Sequence, residues 1–238
     1  PIAGNAAAYS SFTYDHSGFE LLSPDGYSPK RTVTSEYMGL RVDLNEPTDI
    51  VTDTDGNVYI ADPNNNRILI LDEYYKLIYE LKAFVNDQGI DDSISGARGI
   101  CVTDKYIYVA DTGMTRVLVF EKYNPETGSC QFVNRFEEPE SDSFSKDSTY
   151  MPIAIAADNS GRMHVVSATT YEGIIALNSD GTFSGFEGAQ KGNFNAFQLF
   201  WRRFQTQEQR DASVSNLSVE FNNVAIDSEG FVYATTSA

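Results

Sequence analysis

The residues best equipped for chemistry crowd into 53-DTDGNVYIADPNNNR-67, where Asp53, Asp55 and Asp62 stand among four Asn and one Gly, and Arg67 closes the stretch. Oxygen ligands at alternate positions are what a calcium loop uses. An EF-hand loop beginning at Asp53 would need Gly at position 58 and a bidentate Glu at position 64, where the sequence has Val58 and Asn64. The chemistry expected here is therefore local, because Asp and Asn tolerate turn backbones and hydrogen-bond to nearby amides. No metal and no other cofactor is expected of the chain.

Asp62 and Asp111 each precede an arginine by five positions, Arg67 and Arg116. That spacing lets a carboxylate ending one strand meet a guanidinium starting the next, and a bidentate pair would fix the loop between them. Structural ion pairs are thus expected at Asp62–Arg67 and Asp111–Arg116, in preference to carboxylates that face a pore and bind a sugar or metal. His16 and His164 are the sole histidines, which leaves no basis for a catalytic triad, a His-rich zinc centre or an HExxH protease. No G-x-S-x-G elbow, phosphate-binding P-loop or G-x-G-x-x-G occurs. Carboxylate pairs for glycoside hydrolysis are not singled out by 34 acidic residues spread over the chain. Cys101 and Cys130 lack the short paired spacing of a zinc site and are too few for a disulfide scaffold, so both are expected to be unpaired.

A net charge of −17 repels phosphate backbones and anionic membrane surfaces, so no nucleic acid is expected as a partner. No apolar run approaches the roughly 18 residues of a membrane helix. The chain starts at Pro1, and Ala6-x-Ala8 within 4-GNAAAYSS-11 has the form of a signal-peptide end, which suggests export to the cell surface or beyond.

The elements that must position these residues come from a repeat. The opening stretch recurs as 47-PTDIVTDTDGNVYIAD-62, 97-ARGICVTDKYIYVAD-111, 152-PIAIAADNSGRMHVVS-167 and 221-FNNVAIDSEGFVYATT-236. Ile50, Ile100, Ile155 and Val224 share one slot; Tyr59, Tyr108, His164 and Tyr233 share another; Gly56, Gly161 and Gly230 share the turn. His164, in a tyrosine slot, is expected to be a packing residue. A β-branched run, a polar turn and an alternating aromatic-rich run make a hairpin. Third strands follow at 67-RILILD-72 and 116-RVLVFEK-122, and fourth strands at 77-LIYELKAF-84 and 131-QFVNRFEE-138. Four short antiparallel strands per repeat are the pattern of a β-propeller blade, so the fold class is all-β.

These residues also carry a family resemblance. Asp-Gly-Asn-Val-Tyr-Ile-Ala-Asp followed by Asn-Asn-Arg, with Asp62-x4-Arg67 and Asp111-x4-Arg116, resembles the NHL-repeat propellers over about residues 47–122. In the third copy Ser167 and Glu172 stand where the Asp and Arg would be. The insertion 197-FQLFWRRFQTQEQR-210 resembles a group of exported bacterial NHL-repeat proteins. The resemblance implies a ring of six blades when complete. The expected organisation is an N-terminal arm over 1–46, blades at 47–96, 97–151 and 152–220, and a partial blade at 221–238. Within the arm, 12-FTYD-15, 19-FELL-22 and 31-RTVTS-35 are strand-like, and one of them is expected to serve a closing blade. The remaining blades are expected from a missing segment or a second chain.

Loops between second and third strands share a face with the links between blades, and every long insertion falls on that face. Loops on a rigid scaffold are the usual place for recognition. Tyr150, Tyr171 and Trp201 are its candidate ligand-binding aromatics. Phe194, Phe197, Phe200, Trp201 and Phe204 recur at three- and four-residue steps, which predicts an amphipathic helix near 194–210, docked on its own propeller. The pore-side candidates are the starts of the first strands: Thr48 with Asp49, Arg98 with Gly99, and Asn222 with Asn223. The function expected is an exported recognition or scaffold propeller that binds a protein, peptide or glycan on its long-loop face. The alternative, implied by likeness to other six-bladed propellers, is a lactonase-like hydrolase or lyase holding a divalent metal such as calcium at the pore.

Overall fold

The structure, a computed structural model, describes residues 11–23, 31–141, 144, 150–170, 172–188 and 220–236. The arm opens with a hairpin, β1 (Ser11–Tyr14) and β2 (Glu20–Ser23), which pair with each other as a separate two-stranded sheet. Residues 31–35 are not the strand their composition predicts. They lead into a single helical turn, α1 (Ser35–Met38), because Thr34 Oγ1 accepts the Tyr37 amide at 3.2 Å and Gly39 ends the turn at φ 83°. Met38 from this turn, with Val33, Leu40 and Leu44, packs on the outer face of the first blade against Val58, Ile60, Leu69 and Leu71.

That blade is a meander of β3 (Asp49–Thr52), β4 (Val58–Asp62), β5 (Arg67–Leu71) and β6 (Leu77–Leu81) in sequential order. The predicted fourth strand ends at Leu81. The chain then makes a second small hairpin, β7 (Ala83–Val85) with β8 (Asp91–Ser93), within what the sequence reads as strand end and loop. Phe84 anchors it, stacked on Phe132 at 5.1 Å and edge-on to Phe120 at 4.9 Å. The second blade is β9 (Gly99–Val102), β10 (Tyr106–Asp111), β11 (Arg116–Glu121) and β12 (Phe132–Phe136). The third is β13 (Pro152–Ala157), β14 (Met163–Ser167), β15 (Ile174–Leu177) and β16 (Phe183–Glu187). A fourth unit contributes β17 (Phe221–Ile226) and β18 (Val232–Thr236).

Side chains alternate between the two faces of each strand, so every blade offers one face to each neighbour. Tyr59, Ile68, Ile70 and Leu81 thereby meet Ile100, Ile107, Leu118 and Phe120. Val117 and Val119 meet Ile155, Met163 and Val165. Ala154, Val166 and Ile174 meet Val224. The repeat slots record this stacking. Ile100 is 2% exposed against the first blade, while its equivalent Ile50 is 63% exposed. On the opposite flank Tyr59 is 1% exposed and its equivalent Tyr233 is 58% exposed. The shared turn glycines Gly56, Gly161 and Gly230 lie at φ 85°, 85° and 88°, the left-handed region that explains glycine in three copies.

Candidate functional site

The first strands β3, β9, β13 and β17 line up beside one another at the axis. Thr48 Oγ1 donates to the Arg98 carbonyl at 2.7 Å, and Asp49 Oδ2 accepts the Ile100 amide at 2.8 Å. Between β9 and β13, Cys101 Sγ accepts the Ala157 amide at 3.2 Å. Where the C-terminal ends of these strands meet their turns, they line an open cavity of about 610 Å³. Strand residues such as Val51, Cys101, Ala156 and Ala225 form its depth. Its mouth is built of the four equivalent turns and lined by Asp53, Asp104, Asp158, Asp227, Glu229 and Arg162, the last paired with Asp158 at 2.7 Å.

The turn carboxylates are held by a recurrent set of bonds. Asp53 Oδ1 accepts the amides of Asp55 at 3.0 Å and Asn57 at 2.9 Å; Asp158 Oδ1 accepts those of Ser160 at 2.9 Å and Arg162 at 3.0 Å. Asp227 Oδ1 accepts those of Glu229 and Phe231, both at 2.9 Å. Tyr59 Oη donates to Asp53 Oδ2 at 3.0 Å and Tyr233 Oη to Asp227 Oδ2 at 2.8 Å. Lys122 Nζ adds an ion pair to Asp53 at 2.8 Å. Burial works to raise the Asp158 carboxyl, but hydrogen bonds from Ser160 and Arg162 outweigh it and hold it at about 2. Because that lies below the ordinary 3.8, ionised Asp158 favours the fold. Its contribution is complete above about pH 4 and is lost as pH falls toward 2. Asp158→Asn is expected to flatten the acid limb of stability in that window, read from urea midpoints against pH.

Desolvation pushes the Cys101 thiol up to about 11 and the Cys130 thiol to about 12. Both cysteines are free. With so little thiolate near neutrality, both are expected to react slowly. A colorimetric disulfide reagent at pH 8 is expected to find no fast thiol in the folded protein and two after unfolding.

The residues singled out by sequence do not converge. Thr48 and Asp49 lie at the far end of β3, with hydroxyl and carboxylate committed to the second blade and Asp49 Oδ1 also accepting the Ile50 amide at 2.9 Å. Burial pushes the Asp49 carboxyl up against these two amide bonds. Arg98 is exposed, and Gly99 sits against the backbone of Ala154. Asn222 Oδ1 accepts from Thr235 Oγ1, and Asn223 Oδ1 from the Val224 amide at 2.8 Å. Tyr150 is not displayed on a loop. It is buried between the second and third blades, its hydroxyl lacks a hydrogen-bond partner, and burial raises its pKa. Tyr171, Trp201 and the segment 194–210 lie outside the described residues. His164 is buried on the face toward the fourth unit, Nδ1 2.9 Å from Glu187 Oε2.

Asp62 and Arg67 pair at 2.7 Å, and Asp111 and Arg116 at 2.8 Å, each through Nε alone instead of the bidentate form the spacing suggests. Their remaining atoms reach further. Asp62 Oδ1 accepts the Asn45 amide and Asp111 Oδ1 the Ser95 amide, at 2.8 and 2.7 Å, in equivalent positions where the chain enters each blade. Arg67 Nη2 donates to the Val42 carbonyl at 2.7 Å, and Arg116 forks onto both oxygens of Asp92 in β8. In the third blade Ser167 Oγ takes the carboxylate's place and accepts the Met151 amide at 2.9 Å.

Sequence reasoning missed the cavity-lining Asp104, Asn159, Arg162 and Glu229. Their signal lies in the four aligned turns, which carry no insertions and sit at the end of the strands opposite the long loops. Among the described residues, no group of three or more His, Cys, Asp or Glu is placed to hold a metal.

Residues 44–71 match the family profile of the NHL repeat. No curated protein matches the sequence. Solved structures similar in fold include a streptogramin B lyase, at 15% identity over 82% of this chain and 50% of that one, TM-score 0.47. Hydrazine synthase of Kuenenia stuttgartiensis is similar at 12% identity over 82% and 43%, TM-score 0.49, and a gluconolactonase from Xanthomonas campestris at 14% over 95% and 62%, TM-score 0.45. The chain thus spans between 43% and 62% of the length of these structures. It carries a match to the NHL repeat at residues 44–71 and is built of four-stranded antiparallel β-propeller blades.

Proposed function

We propose that this chain is a recognition module of an exported or surface-attached protein, one that holds a peptide, protein or glycan and leaves it chemically unchanged. The observation that carries the reading is the axial cavity, a concave site of the size that small ligands and single side chains use. Three of its carboxylates are occupied with structural bonds, Asp53, Asp158 and Asp227 each bracing its own turn, and burial raises the Cys101 thiol pKa. A general acid–base pair needs two groups free to exchange protons, whereas these three carboxylates are committed to bracing their turns. At the opposite end of the first strands, where a lactonase-like site would gather oxygen ligands, the Asp49 carboxylate is already taken by two amides. Export rests on the small-residue pattern at Ala6 and Ala8 alone.

The test is a thermal-shift and calorimetric screen of the full chain against peptides, oligosaccharides, Ca²⁺ and Zn²⁺, run beside hydrolysis assays on simple lactones. A ligand that binds the folded state raises the melting temperature in proportion to occupancy. Saturable stabilisation without turnover is the expected result. Lactone turnover, or a stoichiometric metal that activates it, would overturn the proposal.

A further inference from the structure

We infer that the hairpin β1–β2 is the outer half of a propeller blade and that it pairs with the free edge of β18 in a second copy of this chain; the inference is independent of what the axial cavity holds. Each complete blade is two hairpins side by side, first strand with second and third with fourth, joined between the second and third strands. Leaving aside β7–β8, which lies within a link between blades, two described hairpins stand as two-stranded sheets where a blade has four strands: β1–β2 and β17–β18. The latter is an inner half, because its strands fill the first and second slots of the repeat and β17 lies against β13. For β1–β2 the turn has the form of the first blade's outer turn. Asp15 Oδ1 accepts the Ser17 and Phe19 amides at 2.8 and 2.9 Å, as Asp72 Oδ1 accepts those of Tyr74 and Lys76 at 2.9 and 2.8 Å. Inner turns share this form, so what decides is the chain that follows. Asn45 and Val42 meet Asp62 and Arg67 as Ser95 and Ser93 meet Asp111 and Arg116, which makes this entry the equivalent of the link between the first and second blades. A link follows a fourth strand, and the described residues from 31 to 48 hold α1 and no strand. Thus β2 fills a fourth-strand slot and β1 a third.

The two halves fit in one register. Matching Asp15 to Asp72 gives Tyr14, Thr13 and Phe12 the slots of Leu71, Ile70 and Leu69, which pair with Val58, Tyr59 and Ile60. In the fourth copy of the repeat those partner slots belong to Val232, Tyr233 and Ala234. The joint therefore sets Tyr14 opposite Val232, Thr13 opposite Tyr233 and Phe12 opposite Ala234. Backbone polarity agrees. The Asp15 amide donates to the Phe19 carbonyl and the Asp227 amide to the Phe231 carbonyl. By alternation from these bonds, the amides of Tyr14 and Phe12, and those of Val232 and Ala234, point away from their own hairpins. Thr13 and Tyr14 are exposed, as is β18 from Tyr233 onward, whereas every residue of the equivalent strands β4 and β14 is buried. Bare edges of this kind pair with another chain. Within one chain the halves do not meet: β1–β2 belongs beside the first blade and β17–β18 beside the third, and the exposed Ile50 and Tyr233 mark an open arc between them. A second copy offers each half its complement in a head-to-tail contact.

The experiment is sedimentation of the full chain across the micromolar range, with cysteine cross-linking between copies. Concentration-dependent association to a dimer or larger is expected. Thr13→Cys protein mixed with Tyr233→Cys protein under mild oxidation should give the mixed disulfide, identified by mass, since facing residues outside the hydrogen-bonded pairs of an antiparallel ladder lie within disulfide reach. Thr13→Cys mixed with Tyr74→Cys, an exposed residue in the outer turn of the first blade, should not. Tyr14→Pro and Ala234→Pro each remove one outward amide and should weaken association by about tenfold or more. An equimolar mixture of these two proline variants should recover a dimer, because it still contains one intact hairpin and one intact edge; that recovery, with an unchanged melting temperature, separates a lost contact from a lost fold. A monomer at every concentration, cross-linking to Tyr74→Cys as efficient as to Tyr233→Cys, or association indifferent to both prolines would overturn the inference.

Discussion

Replacing Arg67 with methionine is expected to destabilise the protein by about 3–5 kcal/mol, because it strands the buried carboxylate of Asp62 without its counter-charge. Both side chains are almost wholly excluded from water. Methionine matches the arginine stem in volume, so the loss reports on charge and hydrogen bonding with little cavity contribution. The guanidinium also donates to the Val42 and Asp43 carbonyls and approaches Glu80 at 3.2 Å, so its removal loosens the chain entering the first blade as well. Asp62→Leu in the Arg67→Met background should recover part of the loss, since the desolvated charge is then gone. The third blade supplies an internal scale. There the same backbone hook is a neutral hydroxyl, and Ser167→Ala should cost only about 1 kcal/mol. Chemical denaturation reads all four proteins: a shifted midpoint at constant slope is the expected form, and equal losses for Arg67→Met and Ser167→Ala would mean that the ion pair adds nothing to the hook.

The difference between these hooks bears on what a sequence can disclose. The blade strands were legible because their determinants are local: alternation of apolar side chains across two faces, and an Asp–Gly turn whose glycine sits at positive φ in three copies. The Asp-x4-Arg spacing was legible for the same reason, since both ends of the pair flank one short loop. Its further partners were not, because Asn45 and Ser95 lie 17 and 16 residues upstream of their carboxylates. The β7–β8 hairpin escaped notice because β8 reads Asp-Asp-Ser, a poor strand by propensity, and is held by Asp92 to Arg116 and by Phe84 below it. The cavity is the extreme case. Its mouth assembles turns some fifty or more residues apart, each an ordinary tight turn when read alone. Loop length, the guide used on the sequence, pointed to the other end of the strands. There Thr48 and Asp49 prove to be bridges between blades.

Those bridges lead to the second large effect, at Gly99. A Cβ there would lie 2.7 Å from Ala154 Cα, 2.8 Å from the Ile153 carbonyl oxygen and 3.2 Å from the Ala154 amide. Glycine is required for room at this position and not for its dihedral angles, since Gly99 is absent from the positive-φ residues. The obstructing atoms are all backbone, so relief would mean moving β13 and with it the third blade. Asp49 occupies the equivalent slot one blade earlier, where the gap is wide enough for a carboxylate to span it to the Ile100 amide. Adjacent blades are therefore spaced by what fills this one slot: an acid between the first and second, nothing between the second and third. Gly99→Ala is expected to cost about 1–3 kcal/mol, the usual range for overpacking, and Gly99→Val, with two more carbons, at least about 3 kcal/mol. Gly89→Ala is the control, with φ 73° and open space around the added carbon, so its cost of about 1–2 kcal/mol is one of dihedral angle alone. If Gly99→Val unfolds at the same denaturant concentration as Gly89→Ala, the close approach of β9 and β13 does not exist in solution. If it is destabilised as expected, the separation of the second and third blades is fixed by backbone contact at this one slot.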